Sequence, residues 1–309
     1  MSPRPDRTPR PLLTPLRPAP ERATRLAEEP GTRGVGEGTS LGPVVVAVHP
    51  GALPATVWGA FAGRLGVEQE PYLCDLGAVP EYVAAGLDPT APVPGVRDLA
   101  DRCLRQLRDA GLTRRPLALV GWSFGGVVAY EIAARLDAEG RGSRLGALVV
   151  LDSIAPVAAF QRPDDALTPA LLLDWFAMYL GARRGQRLHT DATALTSLDA
   201  LLDAAVTQGV LPPGTEPAGM RKLYGAFHAG LVRNNRCTAD YLPDPLDRTV
   251  TVVKPDRSLL PDSHDLGWGE LSGRPLRQLA VPGDHYTLLQ RPETVAALAD
   301  LLTAVPQGN

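Results

Sequence analysis

Apolar and polar positions along the chain follow two spacings in turn. "PVVVAVHPG" (43–51) is a continuous β-branched run suited to a strand covered on both faces. "ATVWGAFAGRLG" then places Val57, Phe61 and Leu65 at helical intervals, and "PYLCDL" predicts a short strand. "VRDLADRCLRQLRDAG" predicts an amphipathic helix with Leu99, Cys103, Leu104 and Leu107 near one face and Gly111 as its stop. A strand, "PLALVGWS", a helix, "GGVVAYEIAARLDAEG", and a further strand, "LGALVVLDS" (145–153), follow in order. Strands alternating with helices predict the α/β class, a mostly parallel central sheet with helices on both faces.

The alternation lapses over residues 155–245, where "LTPALLLDWFAMYLG", "SLDALLDAAVTQGV" and "GMRKLYGAFHAGLVRNN" read as helices with no strong strand between them. It resumes with "RTVTVVKPD" (248–256), "PLRQLAVPG" (275–283) and a closing helix, "ETVAALADLLTAV" (293–305). A helical insertion of that length exceeds a plain crossover. It is expected to form a lid over the strand ends, where ligands bind in open α/β sheets. Residues 1–42 are rich in Pro, Arg and Gly and thin in apolar side chains, so they are expected to be a disordered tail ahead of one domain spanning 43–309.

Composition narrows the function. A net charge of −3 offers no electrostatic handle for nucleic acid or an anionic membrane. No stretch has the apolar length of a membrane span. Cys74, Cys103 and Cys237 are odd in number and form no CxxC pair, which disfavours a disulfide framework or a zinc site and fits a reducing cytoplasm.

Chemistry concentrates at Gly121-Trp122-Ser123-Phe124-Gly125, a G-x-S-x-G with a strand before it and a helix after it. A nucleophile raised on so sharp a turn needs neighbours without side chains, and the helix start aims free N–H groups at the reacting atom. The competing reading is a serine that merely caps a helix. A serine hydroxyl needs a base. Among the five histidines, His285 in "LAVPGDHYTLL" follows a late strand and precedes the last helix, as the Ser…acid…His order of α/β-hydrolases requires. His49 is expected to shape the loop after the first strand. His228 falls in the lid, and His189 and His264 fall in polar loops. Asp152 and Asp256 both end strands, and spacing leaves them level as the acid that orients the imidazole. The oxyanion donors are expected to be the backbone N–H groups of Phe124 and of Gly51 in "HPGALP", with Ala52 second.

"VVAVHPGA", "LVGWSFGGVVAYEIAARL", "LVVLDS", "LVRNNRCTADYLPDPLDRTVTVVKPD", "LGWGEL" and "VPGDHYTLLQRPETVAALADLL", six pieces in order from about Pro43 onward, resemble the thioesterase domains that release products from nonribosomal peptide and polyketide synthases. The resemblance implies an α/β-hydrolase fold with a helical lid at about 155–245. It selects Asp152 over Asp256 as the acid and matches Gly51 to the oxyanion loop, although "HPGALP" stands where the family often shows "HPAGG". It implies a Ser-His-Asp serine hydrolase, Ser123 taking an acyl, peptidyl or polyketide chain from the phosphopantetheine thioester of a carrier protein. Release would be by hydrolysis or macrocyclisation, in natural-product (antibiotic) biosynthesis. The implied partner is an acyl or peptidyl carrier protein, with no cofactor or metal of its own; since the chain contains no carrier segment, it is expected to act in trans or as a release domain on its own polypeptide. Trp122, Trp175, Phe227 and His228 are the candidate substrate contacts. An editing (type II) thioesterase, a carboxylesterase on a soluble ester, and a non-catalytic binding module are the alternatives.

Overall fold

Valine and leucine runs flanked by Gly and Pro form the centre of the sheet. β2 (Val44–His49) and β4 (Leu117–Trp122) are buried at every position, and β5 (Leu145–Leu151) is buried along its last four. The computed structural model describes residues 10–17, 42–160, 168–190 and 196–303. With β1 (Leu13–Pro15), β3 (Glu70–Asp75), β6 (Val250–Arg257) and β7 (Arg277–Asp284), these strands make a seven-stranded sheet of order β1-β3-β2-β4-β5-β6-β7. All pairings are parallel except that of β1 with β3.

Strand side chains alternate between two cores. Val44, Val46 and Val48 face Leu99, Leu104, Tyr130 and Ile132 on α3 (Val96–Asp109) and α4 (Phe124–Ala138). Val45 and Ala47 face Phe61 on α1 (Gly59–Arg64) and Leu298 on α8 (Pro292–Thr303). Both faces are thereby covered, which is why these strands read as unbroken apolar runs rather than alternating ones.

Two elements depart from the sequence reading. The segment expected to be a disordered tail contains β1, which sets Leu13 opposite Cys74 and Pro15 opposite Tyr72, while Arg17 Nη1 donates to Leu65 O at 3.0 Å. Three residues hold too little periodicity to be read, and backbone pairing with the edge of β3 supplies the order that burial does not. The rest of that segment lies outside the described residues. The second is α2 (Pro80–Leu87), short, started by Pro80 at its first turn, and packed on α7 (Pro217–Thr238).

Between β5 and β6 the chain forms α5 (Pro169–Arg184), α6 (Leu198–Thr207) and α7. Thr168 and Ser197 cap the first two through their hydroxyl oxygens, and Gly185 ends α5 in the left-handed region at φ 66°. Asp174 on α5 pairs with Arg257 at 2.7 Å, and Trp175 Nε1 donates to Leu259 O at 3.1 Å. Arg236 on α7 donates to Ala91 O at 3.1 Å. These bonds tie the insertion to the end of β6 and to the loops that follow β6 and α2. Among the described residues no helix is long and apolar enough to cross a membrane.

Candidate active site

Ser123 follows β4 and precedes α4 with φ 54° and ψ −130°, a conformation rare for a residue with a side chain. Its backbone N–H donates to Leu151 O at 2.9 Å, so the turn stays anchored to β5 while the side chain is lifted clear of the sheet. The glycines around it are required by close approach. A Cβ on Gly121 would lie 2.4 Å from Gly125 O, and one on Gly125 would lie 2.2 Å from Val48 O. The strand–turn–helix unit therefore closes only with hydrogens at both positions.

Asp152, one residue beyond β5, also has a positive φ, 40°. Its carboxylate is fully buried and is met by three groups. His285 Nδ1 lies 2.8 Å from Oδ2, the Ser258 hydroxyl donates to Oδ1 at 2.5 Å, and Leu259 N–H donates to Oδ2 at 3.1 Å. These donors satisfy the oxygens of a carboxylate that has no access to water. An acceptor at Nδ1 fixes the imidazole in the tautomer that leaves Nε2 free to accept a proton. His285 is held from several sides. Its N–H donates to Arg257 O at 3.1 Å, Trp122 Nε1 donates to its carbonyl at 3.0 Å, and Tyr286 stands edge-on to the ring at 4.6 Å. Asp284, just before it, accepts from Tyr286 N and Thr287 N at 2.9 and 3.0 Å and so closes the loop.

Among the described residues Asp256 makes no hydrogen bond to His285. It is exposed on β6 and borders a separate depression with Lys254 and Pro261. The end of β6 serves the site through Ser258 and Leu259 instead.

Ser123 and Phe124 open onto a cavity of about 160 Å³ whose walls include Phe160, Leu171, Trp175 and Asn234. Of the four expected substrate contacts, the cavity meets Trp175 alone. Trp122 is buried beneath the His285 loop because its indole N–H is used there. Phe227 packs on Phe176 and Tyr179, and His228 stacks on Tyr224, so both belong to aromatic packing within the insertion. His189 and His264 are exposed.

Residues 45–303 match the family described as Thioesterase domain. The chain belongs to that family. Similar proteins include a non-reducing polyketide synthase of Arthrinium sp, 31% identical over 196 residues, covering 62% of this chain and 9% of that protein. An orsellinic acid synthase of Armillaria ostoyae is 27% identical over 192 residues, covering 61% of this chain and 8% of that one. The chain thus spans less than a tenth of the length of these curated relatives. Among solved structures, a four-domain nonribosomal peptide synthetase aligns with a TM-score of 0.59 at 25% identity, over 96% of this chain and 20% of that one. The thioesterase from the prodiginine biosynthetic pathway in Streptomyces coelicolor aligns with a TM-score of 0.54 at 22% identity, over 85% of this chain and 86% of the other. The α/β-hydrolase fold of these thioesterases is the fold of this chain.

In this thioesterase domain the loop after β2 is fixed by His49 and Tyr82. His49 is buried, stacks on Trp122 at 5.7 Å, accepts from Trp58 Nε1 at Nδ1 (3.2 Å) and reaches Leu53 O through Nε2 (2.8 Å). Burial pushes its pKa below the usual imidazole value, with Asp75 opposing in part. Gly51 has φ 81° and borders a neighbouring depression with Tyr82 and Arg233, not the cavity that holds Ser123. The Tyr82 hydroxyl lies 3.1 Å from Pro50 O, and its ring stacks on Phe124 at 5.8 Å. Cys74, Cys103 and Cys237 are free and buried, and burial drives the Cys237 thiol up to about 12. Sequence reasoning missed Ser258 and Tyr82. Neither sits in a motif, and each acts on residues more than thirty positions away.

Proposed function

We propose that this thioesterase domain cleaves the thioester of an acyl, peptidyl or polyketide chain carried on the phosphopantetheine arm of a carrier protein, through a covalent intermediate on Ser123. The observation that carries the reading is a strained serine at a strand–helix turn, open to a cavity, on the strand beside the one that delivers Asp152 to His285. His285 Nε2 takes the hydroxyl proton as Ser123 Oγ bonds to the carbonyl carbon. The oxyanion that forms is met by the N–H group of Phe124, which lines the cavity with Ser123 and has no protein acceptor among the described residues, whereas Gly51, the second expected donor, borders the neighbouring depression. Collapse breaks the C–S bond, the imidazolium returns its proton to the departing sulfur, and the acyl group remains on Ser123. Asp152 stays ionised throughout and stabilises the imidazolium. Water then releases a free acid, or a hydroxyl or amine of the bound chain releases a macrocycle. The helices α5–α7 act as the lid that decides how much water enters.

The test is mass spectrometry of the protein incubated with a panel of acyl-pantetheine thioesters, alongside labelling by a fluorophosphonate. Acyl and phosphonyl adducts on Ser123, both absent from Ser123→Ala, are expected. Phosphonylation of Ser123 with rapid turnover of oxygen esters and none of thioesters would assign the chain to soluble esters instead. Absence of any adduct would make it a binding module.

A further inference from the structure

Asn234 stands on α7 between the cavity that holds Ser123 and the depression beside Gly51, and the geometry of its amide is chemically unambiguous. Arg233 Nε and Nη2 lie 3.2 and 3.1 Å from Asn234 Oδ1, and the Tyr82 hydroxyl lies 2.8 Å from the same oxygen. A guanidinium only donates, so the atom it meets must be the amide oxygen and not the nitrogen. Arg233 is itself fixed. Its guanidinium lies over the Tyr82 ring at 3.6 Å, and Nη2 donates to the Tyr82 hydroxyl at 2.8 Å. Tyr82 and Arg233 border the depression beside Gly51 and not the cavity, whereas Asn234 borders the cavity and not the depression. The oxygen end of the planar amide is therefore held on one side, and the nitrogen end is left for the other. Among the described residues no acceptor takes the Asn234 amide N–H groups.

We propose that Asn234 is a specificity-determining residue whose amide N–H donates to an oxygen of the acyl chain on Ser123, selecting chains that carry a keto or amide carbonyl over saturated ones. This rests on the acyl-enzyme reading of Ser123. Most of the surrounding wall is apolar (Phe160, Leu171, Trp175, Leu231, Leu260), and the other polar side chains of α7 on it, Asn235 and Thr238, are engaged in contacts of their own, so a saturated chain gains the same burial but leaves the Asn234 donor unmet. Locking of the amide by Arg233 and Tyr82 prevents it from flipping to offer its oxygen, so the preference has a fixed sign.

The experiment compares kcat/KM for acyl-pantetheine thioesters of equal length, one saturated and three with a keto group at the third, fifth or seventh carbon. Wild-type protein is expected to prefer at least one keto chain by roughly fivefold, the size of one neutral hydrogen bond. Asn234→Asp keeps an oxygen for Arg233 and Tyr82 but has no N–H. It is expected to bring that ratio to about one, the ratio and not the absolute turnover being the readout. Asn234→Leu, similar in shape, carries the same readout if the charged variant does not fold. A preference that persists in both variants, or none at any keto position in wild type, overturns the assignment of Asn234 while saturated thioesters still turn over. Failure of every thioester to acylate Ser123 overturns the proposed function as well, and the two failures are thereby told apart.

Discussion

Asp152 Oδ2 lies 2.8 Å from His285 Nδ1 across 133 positions of sequence, with the two side chains 0% and 2% exposed. An ion so deeply buried is tolerated only because Ser258 and Leu259 supply its remaining hydrogen bonds. Asp152→Asn is therefore expected to preserve the fold but to present an N–H to His285 Nδ1, forcing the wrong tautomer. A loss in kcat of ~10⁴-fold is expected by analogy with other serine hydrolases. Asp256→Asn, on an exposed side chain, is expected to stay within about twofold. Thioester turnover of the two purified variants checks this, and the opposite ranking would move the acid to Asp256.

Ser258→Ala removes the hydroxyl that meets Asp152 Oδ1 and leaves that oxygen unpaired in a dry site. About 2 kcal/mol of stability should be lost, the usual worth of a hydrogen bond to a charged group. Urea unfolding measures it, and an unchanged midpoint at equal slope would mean that water takes over the role of the hydroxyl.

Gly125→Ala should cost ~3 kcal/mol or more, because the added methyl meets the backbone carbonyl of Val48 rather than a side chain that can swing aside. Gly111→Ala differs in kind. No atom lies within 4 Å of its added Cβ, so its cost is the left-handed backbone alone, about 1 kcal/mol. Paired thermal melts should rank the two in that order.

His49 makes stability depend on pH. Burial lowers its pKa from 6.5 in the folded chain, so the unfolded chain binds more protons there. Stability is then constant above the unfolded value and falls as pH drops below about 6.5 toward the depressed folded value. His49→Gln should flatten this descent. Melting temperatures at about pH 7.5 and about pH 5.5 decide it, and equal losses in the two proteins would place the sensitivity elsewhere.

Ser153→Ala tests the other side of the site. The Ser153 hydroxyl is fully buried without a partner among the described residues, although its carbonyl accepts from Trp268 Nε1. Removing an unpaired buried hydroxyl is expected to leave stability unchanged or raise it by up to ~1 kcal/mol. A fall in melting temperature would show that the hydroxyl has a use.

The sequence by itself determined what depends on neighbours in the chain. The apolar runs at 44–49, 117–122 and 145–151 read as strands, and they are the buried strands of the sheet. Gly121 and Gly125 around Ser123 pointed to a turn too tight for side chains, and the close approaches to Gly125 O and Val48 O bear that out. The lid helices were legible for the same reason, each carrying its own apolar positions at helical spacing. Only the tertiary structure decided what depends on distant segments meeting. Spacing alone left Asp152 and Asp256 level, and burial separated them by placing one against His285 and the other in solvent. Pairing with the edge of β3 gave Leu13–Pro15 an order its composition does not predict. Packing turned Trp122, Phe227 and His228 away from the cavity and brought Asn234, unremarked in the sequence, onto its wall. Local patterns encode which face of an element is apolar; which side chain then reaches an acceptor across that face is fixed only when the layers close.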